Sequence, residues 1–415
     1  MVSRQTESTL SIALENRTSS SNVFAYITGR AIDHDNALFL LQADGRTPYY
    51  PTSPSQTLSP LAVDCAIPLG SPGSSVNVTV PHLAGARLWF VRDARLSFFL
   101  NPGPALVEPS VMNPSDPNIE LDWTFCEFTF NSAQLYANIS YVDFVAALPV
   151  ALTLTNAAGE SRHVAGLPAD GLDRVCAALR EQHNRDPGVG WDRLIVTRSG
   201  GGGGGNLRAV SPNTARAQDP ALFNGFYQPY VDEVWAKYTK TPLTVNTQAS
   251  WGDVQARAAS GLLDFGNGIG TYSKPAAADI FSCSTGPFTP SGNPARDAVS
   301  ARLAAAFNRS TLHKNSVQPN NEEVGSYYQH RITNHYARIV HELNIDHRGY
   351  AFPYDDVGPE SAGDQSGSVF DPNPRLLTVT VGGGQARSAE TPQAPLGIDT
   401  SSRRRPWLAR LRKYL

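Results

Sequence analysis

The sequence lacks any apolar stretch that approaches the roughly 20 residues of a membrane-spanning helix, so no membrane partner is predicted. Its first residues, MVSRQTESTLSIALENRT, also lack the apolar core of about 7–15 residues that marks a secretory signal peptide. We therefore expect either a chain given without its leader or a protein that stays in the cytoplasm.

Cysteine is scarce, and neither sign of charge dominates. The 415 residues include four cysteines, Cys65, Cys126, Cys176 and Cys283. This is too few for a disulfide-dense scaffold, although an even number permits two bridges. The net charge of −3 creates no field that would attract nucleic acid. We expect no nucleic-acid partner, and the composition instead suits a neutral polysaccharide held by carboxylates.

Glycine and proline are plentiful, with 34 and 31 residues. Through about residue 160, short runs rich in β-branched and aromatic residues alternate with turn residues, a pattern typical of an antiparallel sandwich or barrel. Helical periodicity then predicts four helices, at DGLDRVCAALREQH, FYQPYVDEVWAKYTK, ARDAVSARLAAAFNRST and SYYQHRITNHYARIVHELN. Strand chemistry is found in WDRLIVTR, GYAFPYDDVG and PRLLTVTVGG.

The length of the chain exceeds the roughly 250–300 residues at which single cores stop growing. The simplest organisation is a mainly β fold in which the first part of a β domain, residues 9–165, is followed by a mixed α/β insertion, residues 166–340. Return strands at 341–385 complete the β domain, and a basic tail occupies 386–415. A cleft between the two units is the expected place for a ligand.

Two segments of biased composition are predicted to be connections or tails. Six glycines at 200–205 are not followed by the Lys-Ser/Thr of a phosphate-binding loop, so we expect a flexible hairpin-like connection. The C-terminal SSRRRPWLARLRKYL has apolar residues at helical spacing. A frayed tail is favoured there over a membrane-surface or nuclear-targeting segment.

Two acidic residues, Glu127 and Asp143, stand in the most informative part of the sequence. In EFTFN, Glu127, Thr129 and Asn131 share one face of a predicted strand, while phenylalanines occupy the other. The chain then turns and returns as LYANISYVDF, which brings Asp143 back beside Glu127. Because Asp143 has the parity of the opposite face, this return strand must bulge or end near residues 141–142, and of the two we predict a bulge.

A pair of carboxylates at a sugar cleft defines glycoside hydrolysis, in which one is protonated and the other is ionised. Aromatic neighbours would desolvate Glu127 and favour its protonated form, whereas solvent and hydrogen bonds at a strand end would keep Asp143 ionised. We therefore expect Glu127 to be the general acid and Asp143 the general base. The simpler alternative is two surface carboxylates on a sandwich.

Other chemistries have weaker support in the sequence. His330, His335 and His341 lie on one predicted helix without an H-E-x-x-H pattern, so packing is favoured over a metal site. No G-x-S-x-G motif occurs, and no cofactor is expected.

The cysteines and tryptophans are assigned to structure rather than chemistry. No histidine motif stands near Cys126, so a structural thiol or a disulfide with Cys65 is favoured over a nucleophile. Cys176 and Cys283 form a second candidate pair. Three tryptophans are expected in the core rather than as sugar platforms, namely Trp123, Trp235 and Trp251.

Motifs along almost the whole chain resemble glycoside hydrolase family 64, the laminaripentaose-producing β-1,3-glucanases of the thaumatin-like superfamily. They occur in the same order from about Leu10 to Gly384. The matching segments include ALENRTSSSNVFAYITG, EFTFN, YVDF, FYQPYVDEVW, KPAAADIFSCSTGPF, LAAAFNRSTL, GYAFPYDDV and LTVTVGG. Several motifs in one order make this resemblance more specific than any single short pattern.

The resemblance implies a thaumatin-like β-barrel or sandwich domain, an inserted mixed α/β domain and a groove between them. It implies an inverting endo-β-1,3-glucan hydrolase, secreted and free of cofactor, that releases short laminari-oligosaccharides. We expect a monomer. The family's acid and base fall on Glu127 and Asp143. The implied sugar-binding positions are Thr129, Asn131, Tyr136, Ser140, Asp355 and Asp356.

Three of these positions depart from the family or have a second interpretation. The family often has Trp where this chain has Tyr136, which offers a smaller stacking face. For Asp355 and Asp356, a solvated turn after Pro353 is an equally good interpretation.

A second hypothesis for the whole protein is a non-hydrolytic thaumatin-like protein that binds β-glucan or acts in defence. The presence of both Glu127 and Asp143 favours the hydrolase.

Overall fold

A computed structural model describes residues 6–199, 205–266 and 268–384. The architecture is mainly β, as predicted, with the helices concentrated between residues 171 and 343. The basic tail and most of the glycine run lie outside the described residues. No helix in the described part of the chain is both long and apolar enough to span a bilayer.

The strands of the first 165 residues are short, with turns rich in glycine, proline, asparagine and aspartate between them. They are β1 (Thr9–Asn16), β2 (Val23–Ala31), β3 (Ala37–Leu41), β4 (Pro48–Tyr49), β5 (Ser59–Pro60), β6 (Ile67–Pro68), β7 (Ser75–Pro81), β8 (Leu83–Arg92), β9 (Phe99–Asn101), β10 (Ala105–Val107), β11 (Asp122–Phe130), β12 (Leu135–Asn138), β13 (Phe144–Ala146), β14 (Val150–Asn156) and β15 (Ser161–Val164).

Beyond residue 165, helices and strands are interspersed. The helices are α1 (Gly171–Arg185), α2 (Pro212–Gln218), α3 (Gln228–Lys240), α4 (Ala277–Ser282), α5 (Pro294–Arg309) and α6 (His335–Leu343). The strands are β16 (Ile195–Thr197), β17 (Asn206–Val210), β18 (Leu243–Asn246), β19 (Asp253–Ala259), β20 (Leu262–Asp264), β21 (Thr271–Tyr272), β22 (Val317–Gln318), β23 (Ser368–Asp371) and β24 (Pro374–Val381).

One five-stranded sheet has the order β15-β14-β24-β1-β7. Its central strand, β24, comes from the C-terminal end of the described chain. It is parallel to β1 and antiparallel to β14. Alternate side chains of β24 are buried, namely Leu377, Val379 and Val381, as the period of two in a half-buried strand requires. Residues after 341 therefore return to a sheet that the N-terminal strands begin.

The largest sheet runs β23-β12-β11-β8-β2-β3-β4, with β6 beside β2. One face of its central strands is closely packed, with Leu88, Phe90, Cys126 and Phe128 all buried. The other face carries Arg87 and Glu127, both partly exposed. This sheet is what positions the candidate site.

The mixed α/β part contains two further small sheets, β13-β17-β16 and β21-β20-β19-β18-β22. Because β13 pairs with β17, it links the strand-rich part to the residues after 165. The strands β16 and β17, which flank the glycine run, are antiparallel neighbours, as a hairpin-like connection predicts. The division into domains remains a prediction.

Several predicted elements have different bounds in the structure. The long helix predicted from Ser326 begins only at His335, because Tyr328 has a positive φ of 59° and the side chain of Asn334 caps the helix by accepting from the amide of Ala337 at 3.0 Å. The segment GYAFPYDDVG forms turns instead of a strand. In α1, Asp170 is at the N-cap as expected, but its side chain makes no capping hydrogen bond.

Candidate active site

A row of polar side chains crosses the face of the largest sheet that carries Arg87 and Glu127, which are partly exposed, while Thr28 and Asn138 in the same row are buried. Thr28 of β2 is paired in register with Arg87 of β8, and Arg87 is paired in turn with Glu127 of β11. Directly opposite residues of neighbouring antiparallel strands share a face. Glu127 is next paired with Asn138 of β12, so the row is continuous across four strands.

Arg87 is the centre of this row. Its guanidinium lies over the ring of Phe125, with 4.8 Å from Cζ to the ring centroid, and Phe125 packs against Trp89 at 5.0 Å. A planar guanidinium stacks favourably on aromatic faces. The aromatic layer therefore fixes the orientation of Arg87 from below, while its donors remain directed at acidic partners.

Glu127 is one of those partners. The Nε of Arg87 donates to its Oε1 at 3.2 Å, and 23% of the Glu127 side chain is exposed. The prediction that aromatic residues close over Glu127 is wrong, because Phe128 lies on the opposite face of β11 and Phe125 lies beneath Arg87.

Glu108 is a second partner of Arg87, and sequence reasoning missed it. It follows β10, outside the largest sheet, and accepts from Nη1 of Arg87 at 2.6 Å. Its other oxygen accepts from the hydroxyl of Thr28 at 3.2 Å. No local pattern marks Glu108. Arg87, by contrast, could have been found as a cation directly before the apolar run LWFV, since a charge in such a strand needs a partner.

Asp143 reaches the site by a route that differs from the predicted hairpin. The strand β12 ends at Asn138, before residues 141–142, and its pairing with β11 shows no register shift, so the bulge predicted in this strand is wrong. Phe144, at the start of β13, packs on Trp123 at 4.9 Å and on Phe125 at 6.0 Å. Because those rings lie on the Glu127 face of β11, Asp143 is carried over that face rather than into the ladder.

Hydrogen bonds hold the segment that carries Asp143. The amide of Tyr141 donates to the carbonyl of Tyr350 at 2.7 Å, and the amide of Ser211 donates to the carbonyl of Asp143 at 2.8 Å. The hydroxyl of Tyr336 donates to the carbonyl of Tyr141, also at 2.7 Å. The position of Asp143 therefore depends on residues from well beyond the hairpin.

Burial raises the pKa of Asp143, the positive charge of Arg87 opposes this, and the negative charge of Glu127 adds to it. The two carboxylates are thus close enough to influence one another around a single cation. The expectation that solvent keeps Asp143 ionised is wrong, since desolvation is its largest perturbation. A carboxylate with a raised pKa is, however, a stronger base once it is ionised.

A bulge does lie beside the site, but in β8 rather than in the return strand. The register of β8 shifts against both neighbouring strands at Gly85, which has a φ of +54° that suits glycine. The amide of Gly85 donates to the hydroxyl of Thr129 at 3.4 Å. Thr129 thus lies two residues from Glu127 on the same face, as predicted.

The predicted sugar-binding residues divide into two groups. Tyr136 is paired with Thr129, and burial and then the charge of Asp356 raise its pKa, which places Asp356 nearby. The hydroxyl of Tyr350 donates to Asp356 at 3.1 Å, and Ser140 forms a bridge with Tyr350. These residues form a second polar cluster beside the Arg87 row.

Asn131 and Asp355 are occupied elsewhere. The side-chain oxygen of Asn131 accepts from two amides of the following turn. Asp355 is 1% exposed, and its carboxylate binds Arg309 at 2.9 Å and His341 at 2.8 Å. Burial opposes ionisation of Asp355, but His341 and Arg309 hold its pKa below the ordinary value. In this conformation the Asp355 carboxylate is not available to a sugar hydroxyl.

The cysteines and tryptophans partly correct the sequence-based expectations. All four cysteines are buried and unpaired, so the suggested disulfides are wrong and the alternative of structural thiols holds. Burial raises the pKa of Cys65 to about 12, which makes it a poor nucleophile. Trp123 and Trp235 are buried as predicted, whereas Trp251 is 44% exposed and is not a core residue.

Comparison with known proteins provides independent information. A family model described as Beta-1,3-glucanase, glycoside hydrolase family 64, matches residues 8–381. The glucan endo-1,3-beta-glucosidase of Cellulosimicrobium cellulans is 27% identical over 338 residues, which cover 78% of this chain and 58% of that protein. The chain thus spans little more than half the length of that relative.

Solved structures show the same similarity. A laminaripentaose-producing beta-1,3-glucanase in complex with laminaritetraose is 31% identical, with a TM-score of 0.78, and the match covers 90% of this chain and 98% of that one. A beta-1,3-glucanase domain from Clostridium beijerinckii, 17% identical with a TM-score of 0.66 over 90% of this chain and 98% of its own, shows a similar fold.

Proposed function

The chain belongs to the β-1,3-glucanases of glycoside hydrolase family 64, and from that premise we propose that it hydrolyses β-1,3-glucan internally, with Glu127 as general acid and Asp143 as general base. One observation carries the assignment of residues. Glu127 of β11 contacts Arg87 directly at a partly exposed position, and the negative charge of Asp143, from the segment that follows β12, also acts on Arg87. Paired carboxylates in such a position are the requirement of glycoside hydrolysis.

In the proposed reaction, Glu127 gives its proton to the glycosidic oxygen as the bond from that oxygen to the anomeric carbon breaks. Asp143 takes a proton from a water molecule, whose oxygen forms the new bond to the anomeric carbon from the opposite side. The configuration is therefore inverted. Inverting enzymes separate their carboxyl groups by about 6.5–9.5 Å to leave room for this water.

The electrostatics of Asp143 support its role as base. General-base catalysis is most effective when the pKa of the base lies close to, but below, the working pH. Burial raises the pKa of Asp143 towards that range, while Arg87 limits the rise. The ion pair between Arg87 and Glu127 places a cation beside the proposed general acid, at 3.2 Å from Nε to Oε1.

The residues beside this pair supply a sugar-binding surface in the proposal. Thr129 lies on the acid's own strand, and Tyr136, Ser140 and Asp356 form the neighbouring polar cluster. Asn131 can offer a sugar only the NH2 of its side chain, because the side-chain oxygen is occupied. Asp355 would act indirectly by fixing the turn that carries Asp356. We further propose a thaumatin-like β domain with a mixed α/β insertion and a groove between them.

The substrate and products are proposed from the relatives. The structure that is 31% identical is of a laminaripentaose-producing enzyme with bound laminaritetraose, which supports linear β-1,3-glucan as substrate and short laminari-oligosaccharides as products. A polymeric cell-wall substrate supports an extracellular site of action. No nucleic-acid or membrane partner and no cofactor are proposed.

A digest of laminarin tests the proposal. We expect the parent protein to release oligosaccharides whose newly formed reducing ends are initially α-anomers by proton NMR. Glu127→Gln and Asp143→Asn are expected to retain laminarin binding and lose at least about 10³-fold in kcat, since each removes an essential proton transfer. Glu181→Gln, a change in an exposed helical ion pair, is the control. Binding without release by the parent would instead favour a non-hydrolytic glucan-binding protein.

A further inference from the structure

Arg87 is one cation that faces three carboxylates. Its Nη1 donates to Glu108 at 2.6 Å and its Nε donates to Glu127 at 3.2 Å. The negative charge of Asp143 also acts on it. Among these three partners, Glu108 makes the shorter of the two direct contacts, and it comes from outside the sheet that carries Arg87.

The arrangement matters because a neighbouring arginine makes it harder for a general acid to keep its proton. A guanidinium with Glu127 as its main partner would stabilise the ionised carboxylate, by about 1–3 pH units in similar ion pairs. Such a residue would hold no proton to donate at neutral pH. When a second carboxylate, here Glu108, also pairs with the guanidinium, it neutralises much of the positive charge that would otherwise act on Glu127.

Glu108 is held in the position that this sharing requires. Its second oxygen accepts from the hydroxyl of Thr28 at 3.2 Å, and that hydroxyl accepts from the indole of Trp89 at 3.1 Å. Trp89 is buried in the aromatic layer under Arg87. The chain of hydrogen bonds runs from the core through Thr28 to Glu108, and it leaves Glu108 fixed as an acceptor.

We propose that Glu108 is a positioning residue that acts through Arg87: it takes most of the guanidinium charge and so allows Glu127 to hold the proton that the general acid donates. This role rests on the function proposed above. The charged groups around Arg87 are Glu108, Glu127 and Asp143, and Arg30 follows Thr28 on β2. Glu108 need not touch the substrate.

The test is the pH dependence of kcat/KM for Glu108→Gln, which keeps the shape and an acceptor oxygen but removes the charge. The general acid must be protonated, so the alkaline limb of the profile reports loss of its proton. With the charge of Arg87 no longer shared, that limb is expected to move about one pH unit lower. Activity above the limb then falls about tenfold, while KM and the activity at lower pH stay near the parent values.

Two variants serve as controls. Glu108→Asp keeps the charge and is expected to return the limb at least half-way to the parent position. Asp64→Asn removes a carboxylate from the exposed Asp64–Arg95 pair, which is likewise a carboxylate–arginine contact but does not touch Arg87, and it should leave the profile unchanged. Thermal unfolding of each variant establishes that it is folded.

The outcomes separate this proposal from the assigned activity. An unshifted alkaline limb in a folded Glu108→Gln protein would overturn the proposal. If KM is also raised while the limb stays in place, Glu108 is a sugar-binding residue instead. If the parent protein releases no sugar, the assigned activity fails instead. The pH at which Glu127 loses its proton can then be followed by carbon NMR of labelled carboxyl groups, with Glu127→Gln for assignment. If Glu127 loses its proton at the same pH in the parent and in Glu108→Gln, the proposal is overturned.

Discussion

At the scale of single residues, the site places opposite demands on two carboxylates that share one guanidinium. Glu127 is partly exposed and directly bonded to Arg87, whereas Asp143 is desolvated and its pKa is raised. That these two carboxylates lie near one another could be predicted from EFTFN and YVDF. Their electrostatic environments could not, because Arg87 and Glu108 are distant in sequence and Glu108 has no local signature.

Asp143→Asn is expected to stabilise the folded protein at pH 7, in addition to the loss of hydrolysis that follows from the proposed role of Asp143 as general base. A carboxyl whose folded pKa is raised contributes stability only below its unfolded pKa of about 4, and loses it as pH rises through the folded pKa. At pH 7 the parent therefore carries the cost of a buried charge that asparagine lacks. Tm measurements should show the variant above the parent at pH 7 and the gap narrowing towards pH 4.

The matched control for this experiment is Asp253→Asn, in a hairpin where Asp253 is exposed. It should change Tm little at either pH and retain activity. An Asp143→Asn protein with a lower Tm than the parent at pH 7 would contradict the account of desolvation.

At the scale of elements, a buried ion network ties two helices to the turn beside the site. Arg309 is the last residue of α5, His341 is in the last turn of α6, and Asp355 precedes Asp356 in the turn. Burial opposes a charged His341, but Asp355 holds the pKa of His341 above the ordinary value. The stabilisation that this network provides therefore depends on ionised side chains from three separate segments.

Asp355→Asn is expected to lower the free energy of unfolding by about 3–5 kcal/mol, because it leaves the fully buried Arg309 without its counter-charge. The loss should be largest between about pH 4 and 6.5, the ordinary values for Asp and His. The contribution of Asp355 is lost as pH falls through its lowered pKa. That of His341 is lost as pH rises through its raised pKa.

Denaturant unfolding across this pH range measures the effect. Asp356→Asn, one residue away and partly exposed, is the comparison and should cost less than about 1 kcal/mol while weakening glucan binding. Equal losses for the two variants would show that the buried network is not the source of the stability.

Periodicity identified the helices well where they are amphipathic and failed where side chains override it. Helical spacing in DGLDRVCAALREQH places Leu172, Val175, Ala178 and Leu179 on one face of α1, where all are buried except Ala178, which is half-buried. The segment before α6 has helical composition, yet Tyr328 adopts a positive φ and the side chain of Asn334 accepts from the free amide of Ala337 in the first turn of α6. Such local side-chain competition with the helix is not visible in hydrophobic spacing.

At the scale of the whole molecule, the order of strands depends on pairings across nearly the full chain. β1 lies beside β24, and β12 lies beside β23. The sequence shows that strand chemistry returns after residue 341, since PRLLTVTVGG alternates. It does not show that β24 enters between β1 and β14, because an alternating strand can pair at an edge or in the centre with equal local preference.

Ending the chain after Asn373 is expected to prevent cooperative folding, because it removes the strand between β1 and β14 and leaves both with unpaired backbone groups. Ending it after Gly384 keeps every strand of that sheet. Thermal unfolding of the two truncated proteins should show a single sharp transition for the longer one only. A cooperative transition in the shorter protein would mean that β1 and β14 can close without β24.

The central position of β24 also affects how the protein is made. While the chain leaves the ribosome from its N-terminus, β1 and β14 emerge more than two hundred residues before their shared neighbour. The nascent protein therefore carries an open gap in its first sheet for most of synthesis, with backbone donors and acceptors available to other chains. This gap gives molecular chaperones a long interval in which to bind, and it closes only when β24 arrives.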